Sequence, residues 1–289
     1  MHLMSRHILA LAISGGKDSM GMAYALKDLP GIVALTVDHK LRQESTEEAL
    51  QVQQWMQKWG IPHVILTWEH DGISTDLQNK AREARYQLMT DWCHHHDVRV
   101  LMTAHHLEDQ VETFLMRLMK GSGLKGLCAM QECVDYNGIT IMRPFLQVRK
   151  SALHANVEHW INDPSNDNLQ FERVRVRKLA EMYLNLDPQL NIVKSLAKLK
   201  EADKYLDEMV AQHSSDIVGA MSLSSFIIFE RFMNKHFSKT GYPFKRKALQ
   251  QFYDKLCTPD FKVTTFASHI FRKNKDGEIV WELEKMRKA

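Results

Sequence analysis

At 289 residues, with 44% hydrophobic and 25% charged side chains, the chain can bury one large core and a smaller one. Its composition excludes a disordered or fibrous protein. A net charge of +3 is too mild to mark a nucleic-acid binder, so the placement of charge matters more than its total.

The opening run Ile8-Leu-Ala-Leu-Ala-Ile13 stops at Ser14-Gly15-Gly16-Lys17-Asp18-Ser19, and a helical pattern follows through Met20, Met22, Ala23 and Leu26. This predicts a buried parallel strand delivering the chain to a helix start. Such a start offers unpaired N–H groups and partial positive charge, for which phosphate is the natural ligand. Gly15 and Gly16 let the backbone approach the anion, Ser14, Asp18 and Ser19 can cap the helix, and Lys17 adds a charge. The spacing is not that of a Walker loop, because one glycine precedes Gly-Lys and Asp18 intervenes. A secretory leader is not expected, since the first apolar run leads straight into the glycine turn.

Ile32–Val37 predicts a second strand ending at Asp38-His39, and a helix opens at Ser45-Thr46 and reaches Trp59. A third strand covers 63–66. A helix follows over about 75–96, a strand over 98–104 and a helix over 107–119. Alternating strands and helices predict an α/β fold, a doubly wound parallel sheet, with ligands beyond the carboxyl ends of its strands. Ser14, Asp38 and His105 each follow a strand and should face one crevice. A strand is expected from Ile139 to Phe145, helical spacing from Ser151 to Ile161, and a break at Asp163-Pro164-Ser165-Asn166-Asp167. Near Leu186 the pattern becomes a long helix, about 189–213, taken as the start of a second domain. Residues 1–185 and 186–289 are the expected division. The later part is basic at Lys245-Arg246-Lys247, Arg272-Lys273, Lys275, Lys285, Arg287 and Lys288. Its interleaved Phe244, Phe261, Phe266 and Phe271 read as core rather than base-stacking platforms. No stretch is long enough to span a bilayer. Cys93, Cys128, Cys133 and Cys257 form no Cys-x-x-Cys pair, as befits reduced thiols in a cytoplasmic protein.

A second dense cluster is His105-His106-Leu107-Glu108-Asp109-Gln110-Val111-Glu112. On a helix His105, Asp109 and Glu112 share a face. Paired carboxylates there can hold an amine or a divalent cation, and the histidine can serve in proton transfer. Arg82 and Arg85 lie on a helix expected to flank the crevice, where forked donors suit phosphate. His94-His95-His96 reads as a solvated helix end, because adjacent residues do not share a helix face.

Residues 14–19 resemble the pyrophosphate loop of the N-type ATP pyrophosphatases, the PP-loop superfamily of adenine nucleotide alpha hydrolase-like fold. Six further blocks follow in order. They are Val37-Asp38-His39-x-Leu41-Arg42, Ala81-Arg82-x-x-Arg85-Tyr86, and His105 to Thr113 leading into Gly121-Ser122-Gly123-x-x-Gly126-Leu127. Arg143-Pro144-Phe145-Leu146, Trp160 to Asn166, and Phe171-x-Arg173-x-x-x-Arg177 complete the set. Together they resemble the tRNA(Ile)-lysidine synthases. The resemblance implies ATP-dependent joining of free L-lysine to C2 of the wobble cytidine in a tRNA(Ile) with a CAU anticodon, through an adenylated intermediate. It also implies that residues 14–19 hold ATP with Asp38 nearby, and that Arg85 faces the phosphates or the developing charge. Asp109 and Glu112 would take the lysine ammonium, His105 would line the site, and Mg²⁺ would assist. The second domain would be mainly helical and bind tRNA; a homodimer is allowed for, and no membrane is involved. Glu108, Asn162 and Val174 depart from the usual residues of these blocks. A tRNA thiolase of the same superfamily is the alternative, weakened because Cys128 and Cys133 stand five apart without support; a non-catalytic tRNA-binding protein is the third reading.

Overall fold

The computed structural model describes residues 8–41, 44–70, 77–162, 168–212, 226–238, 243–275 and 279–284. The chain divides into two compact units, Met1–Ala197 and Lys198–Ala289. The Asp163–Asp167 break, Arg42, and Lys285, Arg287 and Lys288 lie outside the described residues.

In the first unit each short apolar run becomes a strand and each longer periodic segment a helix. The strands are β1 (Leu9–Ala12), β2 (Ile32–Asp38), β3 (His63–Thr67), β4 (Val100–Met102), β5 (Cys133–Tyr136) and β6 (Ile139–Met142). They form one sheet in the order β3-β2-β1-β4-β6-β5, parallel throughout except for β5. The helices are α1 (Lys17–Leu26), α2 (Glu44–Lys58), α3 (Leu77–His95), α4 (Leu107–Met119), α5 (Leu124–Leu127), α6 (Lys150–Leu153) and α7 (Glu172–Tyr183), with α8 (Leu186–Gln212) crossing the division between the units.

Side chains alternate across a strand, so β1 feeds two cores. Leu11 and Ile13 pack with Met20, Met22, Val52 and Met56 of α1 and α2. Ala10 packs with Val33, Leu35, Met89, Cys93, Leu101 and Ile141, which brings α3 to the opposite face. Burial on both sides explains why these strands read as unbroken apolar runs. Strand order reverses between β1 and β4, so the chain leaves both strands into the same crevice, the position where such sheets bind ligands.

Two local expectations need correction. The 151–161 segment is helical only as far as Leu153, because His154 and Ile161 bond to the loop after β1. Strand β5 was not anticipated. It pairs with β6 through Asn137-Gly138, both with positive φ (53° and 80°), the two-residue turn that Asn-Gly favours.

The second unit contains the end of α8, helices Phe226–Phe237 and Arg246–Leu256, and an antiparallel sheet of β7 (Val263–Phe266), β8 (His269–Lys273) and β9 (Ile279–Leu283). The sheet adds to the helical expectation. Phe229, Phe232, Phe252, Phe261 and Phe271 fill its core, with Phe244 and Phe266 packed against them. Its aromatic residues therefore serve packing. Among the described residues no helix is long and apolar enough to cross a membrane.

Candidate functional site

The apolar run of β1 ends where Ser14 begins the loop, and hydroxyl groups close it. Ser14 N–H donates to Ser19 Oγ at 3.2 Å, and Ser19 Oγ donates to Gly16 O at 2.8 Å. Gly16 stands at the N-cap of α1 with no side chain capping the helix, so the first-turn N–H groups are directed outward. Gly15 sits at φ +82°. A Cβ there would lie 2.5 Å from Ile161 Cδ1 and 2.8 Å from Val52 Cγ2. Only glycine combines that backbone with that close approach, and the cradle suits an anion.

The loop is also held from downstream. Ile161 N–H donates to Gly15 O at 2.9 Å, His154 Nε2 donates to Asp18 Oδ1 at 2.6 Å, and Lys17 Nζ lies 4.2 Å from the centroid of the Trp160 ring.

Asp38, at the end of β2, is buried and accepts from Ser45 Oγ at 2.7 Å, Thr46 Oγ1 at 2.6 Å and Lys40 N–H at 3.0 Å. Burial alone would raise its pKa, but these donors hold it below the ordinary value. Its carboxylate therefore fixes the entry to α2 beside the crevice. Arg85 on α3 has no carboxylate partner among the described residues. Burial, then the neighbouring Arg82 charge, lowers its pKa. Arg82 lies over the Tyr86 ring.

His105 follows β4 and bonds to Thr103 Oγ1 at 2.8 Å. Burial drives its pKa to about 4, Asp109 opposing and Arg143, Arg173 and Arg82 assisting, so the ring is neutral at pH 7. Its neighbour His106 is the opposite case. It is buried between Asp18 (3.5 Å), Glu108 (3.1 Å) and Asp109 (3.5 Å). Burial disfavours its charge, but the hydrogen bonds its ring donates to Asp18 and Glu108 and the acidic charges outweigh that and raise it to about 9. Asp18 is held well below the carboxylate range, burial being outweighed by His106 and His154. Glu108 drops to about 2 for the same reason, helped by Lys150 N–H.

Asp109 and Glu112 do share a face of α4, and both are buried. Their partners are Arg173 and Arg177, one turn apart on α7. Arg173 reaches both carboxylates, donating from Nε to Glu112 Oε2 at 2.6 Å, while Arg177 Nε donates to Glu112 Oε1 at 2.7 Å. Fork-shaped guanidinium groups suit this double engagement. Asp109 Oδ2 also accepts the His106 N–H at 2.9 Å, fixing the start of α4. The structure thus brings Asp18, Asp109 and Glu112 into one connected network, while His105, bonded to Thr103, feels the Asp109 and Arg173 charges without a bond to either. Asp38 and Arg85 belong to the neighbouring wall formed by β2 and α3. His106, His154, Trp160, Arg173 and Arg177 were given no site role from sequence; the four-residue spacing of the two arginines is the one signal that pointed to a shared helix face.

Beside this network lies a cavity of about 420 Å³ lined by Glu108, Arg149, Lys150, His154, Glu181 and Gln189, among others. Arg149 Nε and Gln189 Oε1 are buried there without a hydrogen-bond partner, Arg149 Nε standing 3.7 Å from Glu108 Oε1 as an ion pair. Among the described residues no three His, Cys, Asp or Glu side chains are grouped to hold a metal ion. Cys128 is buried and Cys133 exposed, and neither forms a disulfide.

The profile of the PP-loop domain matches residues 2–182. Among sequence relatives, a tRNA(Ile)-lysidine synthase of Zymomonas mobilis is 42% identical over 193 residues, 63% of this chain and 57% of that one. One from Orientia tsutsugamushi is 41% identical over 185 residues, 61% and 42% of the respective chains. One from Ruegeria pomeroyi is 35% identical over 224 residues, 73% and 54%. The chain thus spans about half the length of these relatives. Among solved structures, a U34-tRNA thiolase from Methanococcus maripaludis superposes with TM-score 0.55 at 17% identity, covering 68% of this chain and 72% of that one. At that identity the likeness concerns the fold alone.

Proposed function

We propose, since the chain belongs to the PP-loop domain family, that it is an ATP-dependent ligase that joins free lysine to C2 of the wobble cytidine of a CAU-anticodon tRNA(Ile). The observation that carries this reading is the glycine cradle at Gly15-Gly16 opening a helix beside a buried acid–arginine network. It supplies phosphate binding and amine handling in one crevice.

In the first step the cytidine C2 oxygen attacks the α-phosphorus of ATP and pyrophosphate leaves with its electron pair. The N–H groups at the start of α1, Lys17 and Arg85 receive that growing negative charge. In the second step the lysine ε-amine attacks C2, the C2–O bond breaks, AMP departs with the oxygen, and the nitrogen loses a proton. His105, neutral at pH 7, presents a lone pair rather than a charge to the incoming amine. Magnesium is taken to arrive with ATP on the phosphate oxygens, the usual mode for this ion.

Asp109 and Glu112 draw the ammonium toward the crevice, displacing Arg173, whose side chain is more exposed than that of Arg177. The neighbouring cavity suits the other end of an amino acid. Arg149 Nε, ion-paired with Glu108 at 3.7 Å but making no hydrogen bond, offers a donor to the α-carboxylate, and Gln189 Oε1 an acceptor to the α-ammonium. The exposed cations Lys245, Arg246, Lys247, Arg272 and Lys273 of the second unit are proposed to meet tRNA phosphates. A cytoplasmic location follows from these substrates.

Incubation with ATP, labelled lysine and CAU-anticodon tRNA(Ile) should place label in the tRNA and release AMP and pyrophosphate. ATP cleavage with sulfur transfer in place of lysine incorporation would favour the thiolase reading. Binding of tRNA without ATP turnover would refute both.

A further inference from the structure

Residues 154–161 hold three members of the phosphate loop from outside. Ile161 donates its N–H to Gly15 O and packs against the bare face of that glycine. His154 anchors Asp18. Between these contacts Lys17 Nζ rests over the ring of Trp160 at 4.2 Å.

Core packing does not account for the indole. Trp160 is 42% exposed, and the neighbouring Val157 and Ile161 make the contacts with the hydrophobic cluster around β1. What the ring touches is the one cation inside the glycine loop. Lys17 has no carboxylate partner among the described residues, so its charge is confined without being neutralised. A carboxylate in the same place would cancel the attraction for a triphosphate, whereas the negative face of a ring leaves it intact. A lysine stem is flexible and loses freedom on binding an anion; a stem already confined loses less.

We propose that Trp160 is a positioning residue for ATP, its ring face holding the Lys17 ammonium over the loop. This rests on residues 14–19 being the ATP site, and its test separates the two claims. ATP binding to the full chain is measured by calorimetry for the unmodified protein, Trp160→Phe, Trp160→Leu, Lys17→Gln and the Lys17→Gln/Trp160→Leu double variant. Thermal unfolding is followed alongside.

Trp160→Leu should weaken ATP binding about two- to five-fold, the range of an exposed cation–π contact. Trp160→Phe, which keeps a ring face, should lose less. In the Lys17→Gln background the leucine change should add nothing, because its effect passes through the ammonium. Equal loss in both backgrounds, or no loss in either, overturns the role of Trp160 while leaving the ATP site in place. Failure of the folded, unmodified chain to bind ATP overturns the ATP site and this inference with it.

Discussion

His106 couples the stability of the first unit to pH, and the structure sets both the sign and the size. Its ordinary value of 6.5 is raised to about 9 by Asp18, Glu108 and Asp109, against its burial. Below pH 6.5 the ring is protonated whether the chain is folded or not. Between 6.5 and about 9 the folded chain alone binds the proton, and above that range neither does. Stability from this group is therefore complete below pH 6.5 and is withdrawn as pH rises to about 9. The interval corresponds to about 3 kcal/mol. Denaturant unfolding of the full chain from pH 6.5 to 9.5 should show that decline. His106→Gln, which fills the site without a charge, should be less stable by a similar amount at pH 6.5, with the gap closing by pH 9.5. A gap that stays constant across the range would refute the reasoning, because His106 would then contribute packing rather than charge. On the acid side His39, His63 and His105, all depressed to about 4 chiefly by burial, resist protonation. Stability should accordingly also fall as pH drops below 6.5, leaving a maximum near that value.

Gly15→Ala should destabilise the loop by about 1–2 kcal/mol through its positive φ alone, and more through the clash with Ile161, with ATP affinity falling in parallel. Adding Ile161→Ala should recover only the part of the clash that Ile161 makes, Val52 Cγ2 remaining 2.8 Å away, as read by calorimetry and thermal unfolding. Arg177→Met removes one of two guanidinium partners from buried Glu112; since Arg177 is itself partly exposed, a loss of about 2 kcal/mol is expected. Unchanged thermal stability would show that Arg173 alone suffices. Gln189→Leu should raise KM for lysine and leave KM for ATP unaltered in the labelled-lysine assay, and an equal rise in both would remove the cavity from the amino-acid site. If the cations of the second unit meet phosphates, log Kd for tRNA should rise linearly with log salt, by about 0.7–0.9 per phosphate contacted. Charge-removing variants at Lys245, Arg246 and Lys247 should flatten that slope.

Local rules made the β1–loop–α1 unit and α4 legible. An apolar run, two glycines and a resumed helical period all fall within about twenty residues, and both chain direction and ligand type follow from helix-end physics. The 151–161 segment shows where such rules stop. Leu153, Val157 and Ile161 carry helical spacing, yet the helix ends at Leu153 because the Ile161 N–H goes to Gly15 O, and His154 serves Asp18 across 136 positions of sequence. No window along the chain contains that competition. The same distance effect governs the acidic face of α4. Read locally, Asp109 and Glu112 are free carboxylates awaiting a cation, but Arg173 and Arg177, more than sixty positions away, supply the charge. Pairing decides the electrostatics of the crevice. Four carboxylates, Asp18, Glu108, Asp109 and Glu112, would repel a triphosphate if left bare, but His106, Arg149, Arg173 and Arg177 offset them. The charges left without a carboxylate partner among the described residues near the loop then include Lys17, Arg82 and Arg85. The site therefore attracts an anion even though its helix start is rich in acid, a balance set by folding rather than by composition.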